Sequence, residues 1–130
     1  MPRNGSGKTL LIVDDDPDVR FMLRSYLEGR GYATISAEDG SGLVELIEKE
    51  RPALVLLDVM MPDTGGLEAC RQIRARGLST PVLILSSKNP ESDPEGVALA
   101  GADAYMAKPF DLSEVGKTVA ALLARPPGKT

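Results

Sequence analysis

The sequence predicts a single α/β domain, a doubly wound (βα)5 unit in which helices cover both faces of a five-stranded parallel sheet. The chain has 130 residues, which is the size of one compact domain. Five apolar runs of strand length alternate with stretches of helical periodicity, as in repeated βα units. Three of these runs are apolar throughout, which is the pattern of strands that are covered on both faces.

The strands are predicted from these apolar runs. Leu10–Val13, Leu54–Leu57 and Val82–Leu85 are apolar at every position. Tyr32–Ile35 and Ala104–Ala107 are more mixed and supply the other two strands. The continuous apolar runs indicate parallel strands, and right-handed crossovers place helices on both faces of such a sheet. The carboxyl ends of the strands should then meet at one edge, where ligands of open α/β sheets bind.

The segments between the strands carry the one-sided apolar stripes of amphipathic helices. Clear stripes run from Val19 to Leu27 and from Leu112 to Leu123. Shorter stripes occupy residues 43–47 and 67–73, and residues 94–100 leave room for only a short helix.

Local signals mark both ends of the first helix. Asp16 before Pro17 predicts an N-cap followed by proline at the first helical position. Gly29 and Gly31 are predicted to end the same helix.

Composition bounds the domain and excludes several kinds of chemistry. We expect the domain to span residues 8–124, with residues 1–7 as a disordered tail and 125–130 as a tail or the start of a linker. The chain has no histidine and one cysteine, Cys70, which excludes Ser-His-Asp and Cys-His catalysis, a histidine-ligated metal and a disulfide. Cys70 lies on an apolar helical stripe and is interpreted as a core residue.

Charge and hydropathy bear on partners and location. The net charge is −4 and no basic cluster occurs, so a nucleic-acid surface is not predicted. Residues 1–8 are polar and no apolar stretch has the length of a membrane span, so the sequence predicts a cytoplasmic protein that does not bind membranes.

Polar side chains stand where the predicted strands end. Asp14–Asp16 follow the first strand, Asp58 the third, Ser86 the fourth and Lys108 the fifth. Two carboxylates about 4 Å apart repel by about 4 kcal/mol at an effective dielectric constant of 20, so a cation should sit among them. Oxygen ligands without histidine or cysteine select a hard ion, and Mg²⁺ fits best, with Mn²⁺ as an alternative.

Each of these residues also has a purely structural interpretation. Asp16 serves as an N-cap, Ser86 as a strand-end hydroxyl and Lys108 as a solvated loop cation. It is their meeting at one sheet edge that indicates a functional site.

Four motifs, in order and with matching spacing, resemble one known family. They are Leu11–Pro17 (LIVDDDP), Leu56–Pro62 (LLDVMMP), Val82–Ser87 (VLILSS) and Gly101–Phe110 (GADAYMAKPF). Together they are similar to the receiver domain of two-component response regulators, which implies a flavodoxin-like fold.

The resemblance implies roles for the carboxylates. Asp58 would be the phosphoacceptor, taking a phosphoryl group from phosphohistidine on a histidine kinase or phosphotransfer protein. Asp15 and Asp58 would bind Mg²⁺ directly together with the backbone carbonyl of Met60, and Asp14 would act mostly through water. Such transfer relies on positioning and charge neutralisation, so the lack of histidine is no obstacle.

The resemblance also implies roles for residues on the later strands. Ser86 would hydrogen-bond one phosphoryl oxygen and Lys108 would pair with another. Ser86 and Tyr105 would move together as the switch, although Tyr105 is equally typical of an aromatic residue covering a sheet edge. Met60 and Lys88 flank the path of a hydrolysing water, and the apolar side chain of Met60 predicts slow self-dephosphorylation.

The sequence identifies the partners of the domain only in part. A chain without histidine cannot be its own phosphodonor, so the donor lies in another domain or protein. The sequence leaves open the cognate kinase, the downstream effector or missing output domain, and dimerisation, since Pro90, Pro94 and Gly96 weaken the helix before the last strand.

A phosphoacceptor domain of this kind is not expected to be an enzyme on other substrates. Two other classes of protein remain as alternatives to it. One is a receiver-like docking module that works without phosphorylation, for which the intact acidic residues would be superfluous. The other is a haloacid-dehalogenase-type phosphatase. Asp14-x-Asp16 resembles the opening motif of these enzymes, although Asp18 departs from that motif.

Overall fold

The structure, a computed structural model, describes residues 8–38, 42–58, 66–86, 101–107 and 111–124. Within these residues the elements run in chain order β1 (Thr9–Val13), α1 (Pro17–Gly29), β2 (Ala33–Ala37), α2 (Leu43–Glu50), β3 (Leu54–Asp58), α3 (Gly66–Ala75), β4 (Val82–Ser86), β5 (Ala104–Ala107) and α4 (Leu112–Leu123).

The strands form one parallel sheet in the order β2-β1-β3-β4-β5. Each neighbouring pair is parallel, and Val13 at the end of β1 lies beside Ala37 of β2 and Leu57 of β3. The three runs that are apolar throughout are the three central strands, because only these have a neighbour on each side and helices over both faces. The predicted five-stranded parallel sheet is therefore confirmed.

The second strand differs in its bounds from the prediction. The apolar run begins at Tyr32 and ends at Ile35, whereas β2 extends from Ala33 to Ala37. As an edge strand β2 tolerates the exposed Ser36, which interrupts the apolar pattern. Tyr32 is buried just before the strand and packs into the core.

Two apolar layers sandwich the sheet. Alternate residues of each central strand point to opposite faces, so that Leu10 and Ile12 of β1 face one layer while Leu11 and Val13 face the other. One layer joins the sheet to α1 and α4 through Leu23, Leu27, Val115, Val119 and Leu122. The other joins it to α2 and α3 through Leu43, Val44, Ile47, Ala69, Cys70 and Ile73.

Helix ends follow the local signals. The side chain of Asp16 caps α1 by accepting from the Asp18 N–H at 2.9 Å, and Pro17 follows at the start, as predicted. Gly31 adopts φ 99° just beyond α1, a conformation that glycine adopts without strain. Asp111 caps α4 in the same way, accepting from the Ser113 N–H at 3.0 Å.

Arg74 of α3 binds the segments that lead into β4 and β5. Its guanidinium donates to the carbonyl oxygens of Leu78 at 3.0 Å, Thr80 at 2.8 Å and Gly101 at 2.9 Å. These bonds fix the amino-terminal ends of both strands, opposite the edge where the carboxyl ends meet.

The helix predicted in residues 94–100 and the two predicted tails lie outside the described residues. Across the described ranges, none of the helices combines the length and the apolar character that crossing a bilayer requires.

Candidate functional site

Three carboxylates meet at the carboxyl ends of β1 and β3. Because Val13 pairs with Leu57, the next residues along these parallel strands, Asp14 and Asp58, emerge side by side. One carboxylate oxygen each from Asp14, Asp15 and Asp58 can be chosen so that all three lie within 4.8 Å of one another. Asp14 and Asp58 are 1% and 3% exposed, whereas Asp15 is exposed, so the cluster opens to solvent on one side.

Asp14 is anchored through both its backbone and its side chain. Its N–H donates to the carbonyl of Ala37 at 3.1 Å, and its Oδ1 accepts from the Asp16 N–H at 2.9 Å. Its own carbonyl accepts from the Arg20 guanidinium Nη1 at 2.6 Å. The turn between β1 and α1 is thereby held from the sheet side and from the helix side.

The structure divides the three consecutive aspartates between two tasks. Asp16 caps α1, and it is not among the three residues whose oxygens cluster. Asp14 and Asp15 are the two that join Asp58. The structural interpretation of Asp16 as an N-cap is thus confirmed.

The predicted site residues of the later strands are described only in part. For Ser86 the structure describes the backbone, which ends β4 one residue beyond the pairing of Asp58 with Leu85. Ser86 pairs with Ala107, the residue before Lys108 in the sequence. Met60, Lys88 and Lys108 lie outside the described residues.

Tyr105 lies on β5, at the edge of the sheet. It is half-buried and packs against the apolar layer that α2 and α3 cover. Its backbone pairs with Ile84 of β4. This position is compatible with both predicted roles, a switch residue and an aromatic cover of the sheet edge.

The donor set of the cluster suits a hard divalent cation. Three carboxylates this close repel one another by about 1–3 kcal/mol per pair, depending on the effective dielectric constant, and a bound cation removes that repulsion. All three donors are oxygens, and Mg²⁺ and Mn²⁺ prefer such ligands. The partial exposure of the cluster leaves space for water ligands, which Mg²⁺ usually retains.

The single thiol takes no part in this site. Cys70 is a free cysteine on α3 and is buried in the hydrophobic core, as predicted. Burial raises the pKa of the Cys70 thiol above its ordinary value of 9.0, outweighing the opposing effect of the nearby Arg74 guanidinium. A thiol held protonated in an apolar layer is unreactive.

Sequence reasoning did not single out Arg20. Its contact to the Asp14 carbonyl depends on how the turn folds back, and no spacing of residue types encodes that path. One signal was available, because a cation in the first turn of a helix opposes the helix dipole and so invites a specific explanation.

A family model described as the response regulator receiver domain matches residues 10–120. The response regulator MprA of Mycolicibacterium vanbaalenii is 45% identical over 116 residues, covering 89% of this chain and 50% of that protein. The alkaline phosphatase synthesis transcriptional regulatory protein PhoP of Bacillus subtilis is 42% identical over 118 residues, covering 91% of this chain and 49% of that protein.

A solved structure gives the same result for the fold. The receiver domain of the Francisella response regulator 1452 superimposes with a TM-score of 0.83 at 30% identity, covering 90% of this chain and 97% of that one. The chain spans about half the length of the curated relatives that it matches. The family match covers all three clustered carboxylates and every buried residue of the two core layers except Leu122. The chain belongs to the receiver domain family of two-component response regulators.

Proposed function

We propose that Asp58 accepts a phosphoryl group from phosphohistidine, and that the acyl phosphate so formed is the signalling state of the domain. The observation that carries this proposal is the position of Asp58. Its nearly buried carboxylate ends the central strand β3, with oxygens of Asp14 and Asp15 within 4.8 Å. A nucleophile at the centre of a sheet edge is accessible from one direction, which favours in-line attack on an incoming phosphorus.

The transfer balances as a simple exchange of bonds. A carboxylate oxygen of Asp58 forms a bond to phosphorus while the P–N bond of phosphohistidine breaks, and the electron pair of that bond stays on the imidazole nitrogen. The step needs no acid-base pair within this chain, because positioning and neutralisation of the phosphoryl oxygens account for most of the catalysis.

Asp14, Asp15 and Asp58 would hold Mg²⁺, or Mn²⁺ in its place. The bound ion supplies positive charge that offsets the charge of the carboxylates and of the phosphoryl oxygens. Asp14 has one oxygen committed to the Asp16 N–H, which supports a contribution through water rather than direct ligation. The backbone carbonyl of Met60 remains a predicted ligand.

Roles for the later strands remain part of the proposal. The register supports them, because Ser86 ends β4 next to Ala107, and Ala107 directly precedes Lys108 in the sequence. Ser86 would donate to one phosphoryl oxygen and Lys108 would neutralise another. Tyr105 would respond to the movement of Ser86, and Met60 and Lys88 would set the rate of hydrolysis.

The partners are proposed by chemical class. The 130-residue sequence contains no histidine, so the phosphohistidine would belong to a histidine kinase or phosphotransfer protein, as another domain or a separate chain. An output domain or a separate effector would read the phosphorylated state, and we propose no activity of this domain on other substrates. We place the exchange in the cytoplasm.

Intact-mass measurement after treatment with phosphoramidate tests the proposal, because its P–N bond resembles that of phosphohistidine. The wild-type chain should gain one phosphoryl group in MgCl₂ and none in EDTA. Asp58→Ala should gain none, while the matched control Asp18→Ala, an exposed carboxylate outside the cluster, should behave as wild type.

Three results would contradict the proposal. No adduct on the wild-type chain would favour the docking module, and an adduct that persists in Asp58→Ala would place the acceptor elsewhere. Turnover of a general phosphatase substrate would favour the hydrolase.

A further inference from the structure

We infer that Arg20 is a positioning residue of the carboxylate site, holding the turn between β1 and α1 so that Asp14 and Asp15 face Asp58. The inference rests on the proposed function, since it concerns the affinity of the same site for Mg²⁺. Arg20 would touch neither the ion nor the phosphoryl group. It acts through the backbone of Asp14.

The contact itself is short and well placed. Arg20 lies in the first turn of α1, where its N–H donates to the Asp16 carbonyl at 3.0 Å. From there its side chain reaches back over the turn and donates through Nη1 to the Asp14 carbonyl at 2.6 Å. A charged donor at this distance makes one of the stronger kinds of hydrogen bond.

Arg20 completes the set of bonds that fix Asp14. On the sheet side the Asp14 N–H is bound to Ala37, and within the turn its Oδ1 is bound to the Asp16 N–H. Without Arg20 the helix side of the Asp14 peptide would lose its side-chain anchor. Rotation of that peptide would carry the Asp14 and Asp15 side chains away from Asp58.

The geometry favours positioning over charge compensation. Among the ion pairs within 4.0 Å in the described part of the chain, none involves Arg20. Its guanidinium therefore donates to the Asp14 carbonyl rather than pairing with a clustered carboxylate. The two roles predict opposite changes in Mg²⁺ affinity when Arg20 is removed. Loss of a nearby positive charge would strengthen Mg²⁺ binding, whereas loss of an anchor would weaken it.

Titration with MgCl₂, followed by backbone amide shifts in NMR, separates these roles in the full chain. Arg20→Ala should bind Mg²⁺ about tenfold more weakly than wild type, the lower end of the loss seen when support for metal ligands is removed. The matched control is Arg24→Ala, one turn along α1. Arg24 contacts Glu28 and Thr34 away from the cluster, and its loss should leave the affinity unchanged.

Amide hydrogen exchange provides an independent readout in EDTA. The Asp16 amide, which is bonded to Asp14 Oδ1, should exchange faster in Arg20→Ala than in wild type, while amides in the middle of β3 should not change. Arg20→Gln, which keeps most of the side-chain stem, gives a second measurement if the alanine variant is too unstable to study.

The outcomes are distinct. Unchanged or tighter Mg²⁺ binding by a folded Arg20 variant, or an unchanged Asp16 amide, would overturn the positioning role. Failure of the wild-type chain itself to bind Mg²⁺ would instead refute the metal site of the proposed function.

Discussion

Arg74 and Asp103 form an ion pair of 2.8 Å between the guanidinium Nη2 and the carboxylate Oδ2, joining α3 to the start of β5. The same Oδ2 accepts from the Val82 N–H at 2.9 Å. The two side chains are 25% and 16% exposed, so solvent screens this pair less than the other ion pairs of the described residues. One carboxylate oxygen thus ties a helix to two neighbouring strands.

Replacing Arg74 should be costly. Arg74→Ala removes the guanidinium partner of a shielded carboxylate and of three carbonyls, and we expect a loss of about 2–4 kcal/mol in the free energy of unfolding. Urea denaturation followed by circular dichroism measures it. Arg71→Ala on the same helix, which breaks only the exposed pair with Glu68, should cost about 0.5 kcal/mol or less. Equal losses in the two variants would show that the Arg74 contacts contribute little.

Neutralising Asp58 should stabilise the metal-free domain. Asp58→Asn removes one of three clustered charges, and relief of its repulsion with the other two is worth about 1–3 kcal/mol for each pair. Thermal unfolding in EDTA should therefore give a higher midpoint than in wild type, while MgCl₂, which should stabilise the wild type, should have little further effect on the variant. The control Asp18→Asn should keep the full response to MgCl₂. A variant with a lower midpoint in EDTA would argue against strong repulsion.

The lifetime of the acyl phosphate tests Met60. Met60→Asn should accelerate phosphate loss several-fold, because an amide can hydrogen-bond and orient the attacking water whereas a thioether cannot. Met60→Leu is the matched control and should retain the slow rate. The decay of the phosphorylated mass with time in MgCl₂ gives both rates. Rapid loss from the wild type that Met60→Asn leaves unchanged would contradict the prediction.

The raised pKa of Cys70 predicts a specific dependence of stability on pH. Since burial raises this pKa in the folded state, the contribution of the neutral thiol is fully present below the ordinary value of 9.0 and is lost as pH rises through the folded-state pKa. The unfolding free energy of wild type should thus fall more steeply than that of Cys70→Ala in alkaline solution. Alkylation by iodoacetamide should be slow in the native chain and rapid in urea. Parallel pH profiles would contradict this account.

Much of the fold could be predicted because its signals are local or depend on a single repeating pattern. Continuous apolar runs at Leu54–Leu57 and Val82–Leu85 identify strands covered on both faces, and these strands are central in the sheet. That Asp14 and Asp58 share one edge of the sheet follows from parallel topology, and the pairing of β1 with β3 then brings them together. The end of β2 was harder to predict from the sequence, since an edge strand admits polar residues such as Ser36 and so lacks a continuous apolar pattern.

The supporting arginines could not be predicted. Arg20 and Arg74 bind main-chain carbonyls, and every residue type presents the same carbonyl. Their partners are set by the path of a turn and by the approach of segments distant in sequence. Such contacts depend on three-dimensional geometry, and the pattern of residue types offers only an indirect signal, the unfavourable position of Arg20 in the first turn of α1.

The strand order also bears on how the domain assembles as it is synthesised. β1 pairs with β2 on one side and with β3 on the other, so the first two strands can form a ribbon before β3 is available. That ribbon contains Asp14 and Asp15 but is too small to bury both of its faces. Pairing of β3 with β1 then makes β1 a central strand and places Asp58 beside Asp14. We therefore expect a nascent chain to form its hydrophobic interior and its acidic pocket together, and a truncated product that ends before β3 to have neither.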